Sequence, residues 1–239
     1  MGVLKALEDN NIKIDCVAGS SAGALIGSVY CCNTKPSMMK KIALQLDRKI
    51  WLDLTVPRRG FIKGDCVEEI TKLLTAGKNI EDTYKKLSIV ATDIQNSKVF
   101  VFKNGPIYKA VRASISIPGI FVPVKLKDKV LVDGGVIERV PVNSVKDMGA
   151  DIIIAVDVGF STKPGRINNV FDVILQSIDV MAKQILENKI ILADIVIRPN
   201  LSHIKPSRFD KVEECFEIGY NETIKNISNI KATIKKYKD

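Results

Sequence analysis

The stretch Ile14-Asp-Cys-Val-Ala-Gly-Ser-Ser-Ala-Gly-Ala-Leu-Ile-Gly-Ser-Val-Tyr-Cys31 decides how this chain is read. Residues 14–18 are mostly apolar and predict a buried strand, and Ala22–Cys31 predicts an apolar helix. Between them, Gly19-Ser20-Ser21-Ala22-Gly23 fits the pattern G-x-S-x-G. Small residues on both sides of Ser21 permit a tight strand-to-helix turn that pushes its hydroxyl outward. The helix N-terminus behind it favours negative charge developing in front. Ser21 is therefore the candidate nucleophile, and Gly19, Ser20, Ala22 and Gly23 form the elbow around it. A Gly/Ser-rich turn that binds phosphate, or one that merely allows close packing, uses the same residue types. A P-loop is excluded, because no Gly-Lys-Ser/Thr follows the glycines.

Outward from this stretch, Val3, Leu4 and Leu7 share one face of a short helix ending near Asn10 and Asn11. Apolar β-branched runs recur at 87–93, 98–102, 130–132, 151–158 and 194–198, separated by segments with helical spacing. The interleaving predicts an α/β fold, a three-layer α/β/α sandwich around a mostly parallel sheet. Asp65 with Glu68 resembles a capping box opening a helix over 66–76 that stops at Gly77, and Asn104-Gly105 marks a turn. Residues 168–192 carry Val170, Val173, Ile174, Ile178, Met181, Ile185 and Leu192 at helical spacing, an amphipathic helix whose apolar stripe reads as core. With 239 residues, no internal repeat and no low-complexity linker, residues 1–239 are expected to form one domain.

Lysine and arginine number 36 against 27 acidic residues, and the net charge of +9 favours anionic partners without bearing on fold. The lysine-bearing end, 231–239, reads as a solvated helix end, or as a weak tether to an anionic membrane surface. Five cysteines, Cys16, Cys31, Cys32, Cys66 and Cys215, form no C-x-x-C pair, and no signal peptide precedes them. A reducing, cytoplasmic setting is expected, with the cysteines acting as small buried hydrophobes. The uncharged stretch 16–34 approaches membrane-spanning length, but its glycines and serines fit a strand, a turn and a helix. Ala6 stands where a myristoylation signal carries Ser or Thr, so no lipid anchor is indicated.

A serine hydroxyl needs a base, and the usual one is histidine. The chain has a single histidine, His203. An α/β-hydrolase triad would place several strands before its elbow, whereas here one helix and one strand precede Ser21. His203 also reads as a loop residue, between Ser202 and Pro206. A carboxylate serves instead if it lies close to the hydroxyl and can accept a proton. Asp133 is the best placed, at the end of Val130-Leu131-Val132, with Gly134 and Gly135 leaving room for close approach. An Asp before two glycines is also a common turn-former.

Taken together, these sites resemble the patatin-like acyl hydrolases, and specifically their short bacterial branch. Residues 2–8 look like that family's first helix, Ala18-Gly-Ser-Ser-Ala-Gly-Ala24 like its elbow, and Arg112-Ala-Ser-Ile-Ser-Ile-Pro-Gly119 like its central segment. Val132-Asp-Gly-Gly-Val136 with Val140-Pro141 resembles the block carrying the catalytic aspartate, and Phe209-Asp-Lys with Ile218-Gly-Tyr220 the closing helix. The resemblance implies a Ser-Asp dyad without histidine: Ser21 as nucleophile, Asp133 as general base, and an acyl-Ser21 intermediate. It implies a lipid ester substrate, no metal or organic cofactor and no nucleic-acid partner. Such enzymes carry a strand and a glycine-rich oxyanion loop before the first helix. The chain starts within that helix, which is the expectation for a truncated start, or for a catalytically silent module that binds lipid or protein.

Overall fold

The computed structural model describes residues 1–46, 60–159, 170–204 and 208–238. In chain order its elements are α1 (Gly2–Asp9), β1 (Cys16–Ser20), α2 (Ala22–Cys31), α3 (Pro36–Gln45), α4 (Asp65–Leu74), β2 (Lys86–Asp93), β3 (Lys98–Phe102), α5 (Ile107–Ser114), β4 (Val124–Leu126), β5 (Lys129–Asp133), α6 (Val142–Asp147), β6 (Ile154–Val156), α7 (Val170–Lys189), β7 (Ile195–Ile197) and α8 (Val212–Lys238). The expected elbow is present: an apolar strand ends at Ser20, and an apolar helix begins at Ala22.

Side-chain alternation builds the layers. In β6 and β7, Ile154, Val156, Ile195 and Ile197 pack with Val3 and Leu7 of α1 and Ile230 of α8. Their neighbours Ala155 and Val196 turn to the other face, against Val142 of α6 and Leu186 of α7. Adjacent residues of a strand point to opposite faces, so this pair of strands is covered on both sides. Leu87 and Ile89 of β2 pack in the same way against Ala24 of α2 and Ile107, Ala110 and Val111 of α5. The α/β class with helices on both sides of the sheet is as the alternation of elements led us to expect.

β1 to β5 form a mixed five-stranded sheet, and β6 and β7 a separate parallel pair. β1 and β2 also pair parallel, and helices make the crossovers. The 98–102 run returns from β2 through a four-residue turn, 94–97, with Ser97 at positive φ, and pairs antiparallel with it. β4 and β5 form a hairpin around Lys127 and Asp128, and β5 also lies antiparallel to β2. Turns of four and two residues force these reversals, since a parallel partner needs a long crossover.

Two local expectations change. Gly64, in the left-handed conformation, is the N-cap of α4, so Asp65 is the helix's first residue and pairs with Lys63 instead of capping. Asp65 and Glu68 remain in the first turn, where the helix dipole favours them. The capping box lies at Asn79 and Asp82. The stripe of α7 is the second correction: Val170, Val173, Ile174 and Met181 are exposed, and so is Leu192 just beyond the helix. The buried face is Ala182 and Leu186, continued by Ile190. The helix is apolar on two faces, and the described residues cover only one. The start expected at 168–169 lies outside the described residues.

Residues 231–238 form the last turns of α8, where Lys231 Nζ reaches Asn10 and the Tyr237 hydroxyl donates to Asp151. All five cysteines are thiols. Among the described residues no helix is long and apolar enough to cross a membrane.

Candidate active site

Ser21 is the N-cap of α2, with φ 53° and ψ −125°, a backbone conformation that side chains other than glycine rarely adopt. Such a bend lifts a side chain out of the strand-to-helix junction. It requires near-contact between strand and helix: a Cβ added to Gly19 would lie 2.5 Å from the Gly23 carbonyl oxygen and 2.6 Å from Ala24 Cα. Glycine at 19 is thus what lets α2 close over the end of β1.

The sheet brings the second residue to the same place. β3 occupies one edge of β2 over Ile89–Asp93. β1 pairs with residues up to Val90, and β5 with Ala91 to Asp93, so both overlap β3 in register and must lie on the opposite edge. They meet there end to end, Ser20 opposite Val90 and Asp133 opposite Ala91. Because β1 runs parallel to β2 and β5 antiparallel, it is their C-terminal ends that converge.

At this junction Asp133 is buried. Its carboxyl oxygen accepts the Gly135 N–H at 2.7 Å, and its own N–H donates to the Ser116 carbonyl at 2.9 Å. The Ser21 side chain comes near enough to the same carboxyl to favour its charged form. Burial raises the carboxyl from its ordinary value to about 6, working against the nearby Ser21 hydroxyl, the Gly135 hydrogen bond and the charge of Arg139. A Cβ on Gly134 would lie 2.4 Å from the Val90 carbonyl oxygen and 2.6 Å from Ser20 Oγ, so the turn after Asp133 packs directly on the elbow.

Of the residues anticipated from sequence, Ser21, Asp133 and the glycines around them are brought together. His203 is not: it pairs with Glu214 of α8, Nε2 to Oε1 2.7 Å. Two contributors carried no signal of their own. Ser114, the fully buried last residue of α5, accepts the Ser21 N–H at 2.9 Å and donates to the Val90 carbonyl at 2.6 Å. Arg139 places its charge near Asp133 and bonds to Asp179 of α7. Ser114 and Ser116 both lie in the 112–119 segment, which therefore holds the backbone of both site residues. Arg112 anchors that segment, its guanidinium donating to Ser116 Oγ at 2.6 Å and to the Val122 carbonyl at 2.8 Å. Among the described residues no group of three or more His, Cys, Asp or Glu side chains gathers as a metal site.

Comparison with known proteins fits this arrangement. The family model "Patatin-like phospholipase" matches residues 1–146, which include both Ser21 and Asp133. The chain belongs to the patatin-like phospholipase family. It is 35% identical over 167 residues to patatin-like phospholipase domain-containing protein 6 of Homo sapiens, covering 66% of the chain and 12% of that protein. It is 34% identical over 166 residues to lysophospholipase nte1 of Emericella nidulans, 66% of the chain and 11% of the relative. With lysophospholipase NTE1 of Meyerozyma guilliermondii it shares 28% identity over 253 aligned positions, 92% of the chain and 18% of the relative. The chain thus spans less than a fifth of the length of these relatives. In this patatin-like chain the Ser21 elbow and the Asp133 turn lie side by side.

Proposed function

We propose that this patatin-like chain hydrolyses acyl esters of lipids, of the phospholipid or lysophospholipid kind, with Ser21 as nucleophile and Asp133 as general base. The observation that carries the reading is the convergence, on one edge of β2, of the Ser21 elbow and a buried carboxyl whose pKa is pushed up to about 6. A base poised there is ionised at neutral pH, yet basic enough to take a proton during attack.

In the first half-reaction Asp133 accepts the hydroxyl proton as Ser21 Oγ attacks the ester carbonyl carbon. The tetrahedral oxyanion forms at the N-terminus of α2, where the Ala22 N–H has no partner within the helix and the dipole favours negative charge. Collapse breaks the bond to the alcohol oxygen, which leaves with the proton from Asp133, and acyl-Ser21 remains. Water then gives its proton to Asp133 and attacks the acyl carbon. Breakdown returns that proton to Ser21 Oγ and releases the fatty acid.

Covalent labelling by a fluorophosphonate tests this. Wild type is expected to label at Ser21 and to turn over a short-chain p-nitrophenyl ester, and Ser21→Ala to do neither while keeping its fold. Labelling at another serine would overturn the assignment. Lipid binding with neither labelling nor turnover would identify a silent lipid-binding module.

A further inference from the structure

α7 exposes an apolar stripe beside the site. Val170, Val173, Ile174, Val180 and Met181 are each between 45% and 63% exposed. At 100° per residue they fall within about 120° of arc, interrupted only by Ser177. Ala182 and Leu186, together with the ion-paired Asp179, occupy the other side and fasten the helix to the protein. α7 also packs against the 3-10 turn Gly134–Val136, which directly follows Asp133. Arg139 links the two, touching Asp179 and placing its charge near Asp133.

The geometry points to a lipid surface as the occupant of this stripe. The inference rests on the proposed lipid ester substrate and deepens it: α7 would seat the site on the aggregate from which the substrate is drawn. Two features favour lipid over a second copy of the chain. The stripe is only about 17 Å long and about 10 Å wide, a small fraction of the roughly 800 Å² per partner that a stable protein interface buries. An acyl-chain surface, in contrast, needs no shape match and accepts a short apolar helix face lying in its plane. The stripe is also close to the site, since a bilayer seated on it lies about one helix diameter, ~10 Å, from the turn after Asp133. It contains no charged side chain, so docking through it is insensitive to headgroup charge and to salt.

Flotation with neutral phosphatidylcholine vesicles at low and high salt tests this, beside an arm with vesicles containing phosphatidylserine. Wild type is expected to bind the neutral vesicles equally at both salt concentrations. Ile174→Glu with Met181→Glu is expected to weaken binding at least tenfold, with melting temperature and turnover of a water-soluble ester unchanged. The milder pair Val173→Ser with Met181→Ser should weaken binding less, in the same direction, and serves if the glutamates disturb folding. Unchanged binding in both variants overturns the inference. So does binding confined to anionic vesicles and lost at high salt, which would point to lysines, or a concentration-dependent dimer abolished by the same substitutions. Absence of any Ser21-dependent ester turnover would sink the proposed function while leaving the vesicle result to stand by itself.

Discussion

Ser20 and Asp133 stand opposite consecutive residues, Val90 and Ala91, on the same edge of one strand. β2 thereby acts as a ruler for the site. The position of Ser21 relative to Asp133 is set by backbone register, which a sheet holds more firmly than a loop could.

Asp133 gives the site a pH signature. With its carboxyl near 6, the base is protonated below that value and ionised above it. Ester turnover measured as kcat/KM is expected to rise about tenfold per pH unit below about 6 and to level off above. A profile flat down to pH 4 would show that Asp133 is not the titrating base.

The same burial has a cost in stability. A carboxyl at about 6 in the native state against an ordinary 3.8 means that the folded chain binds more protons than the unfolded chain between those values. Stability therefore falls as pH rises through that window, by about 3 kcal/mol at most. Asp133→Asn is expected to abolish turnover yet raise the melting temperature at pH 7, with the advantage vanishing near pH 4. A lower melting temperature at pH 7 would mean that the attraction of Arg139 outweighs burial.

Ser114 ties the strained elbow to the sheet by accepting the Ser21 N–H and donating to the Val90 carbonyl. Ser114→Ala leaves both groups unpaired in a buried setting and is expected to cost about 1–3 kcal/mol of stability. Because the bond is to the nucleophile's own backbone, kcat should fall about tenfold or more with KM little changed. Thermal melts and steady-state kinetics on the soluble ester check this, and an unaltered kcat would leave Ser114 a purely structural residue.

His203 pairs with Glu214 at the surface. His203→Ala is expected to leave ester turnover within about a factor of two and stability within about 0.5 kcal/mol. A loss of a hundredfold would restore the histidine-dependent triad.

The site was legible where chemistry is local. The Ser21 elbow could be found because a strand-to-helix bend needs small neighbours, and the Asp133 turn because it ends an apolar strand before two glycines. Strand direction was less legible: 98–102 and 130–132 are as apolar and β-branched as parallel strands, and only the short turns at 94–97 and 127–128 betray their reversal. Ser114 was hidden because a serine's partner 93 residues away leaves no local mark. The α7 stripe was misread because the spacing that buries Ala182 and Leu186 on one face also sets Val173 and Ile174 on the other, and periodicity does not say which face finds a partner.

The packing of α1 on α8 has a consequence for synthesis. Val3 and Leu7 are buried with Ile230, and the Tyr220 hydroxyl donates to Asp9. A ribosome working at 5–20 residues per second therefore releases α1 and the elbow roughly 10–40 s before Ile230 is made. Through that interval the part of the α1 face that α8 covers lies open, the kind of exposed apolar surface that chaperones bind. Stalled chains ending before residue 212 should accordingly be cleaved by protease near α1 faster than the released protein, and equal rates would show that other elements shield it.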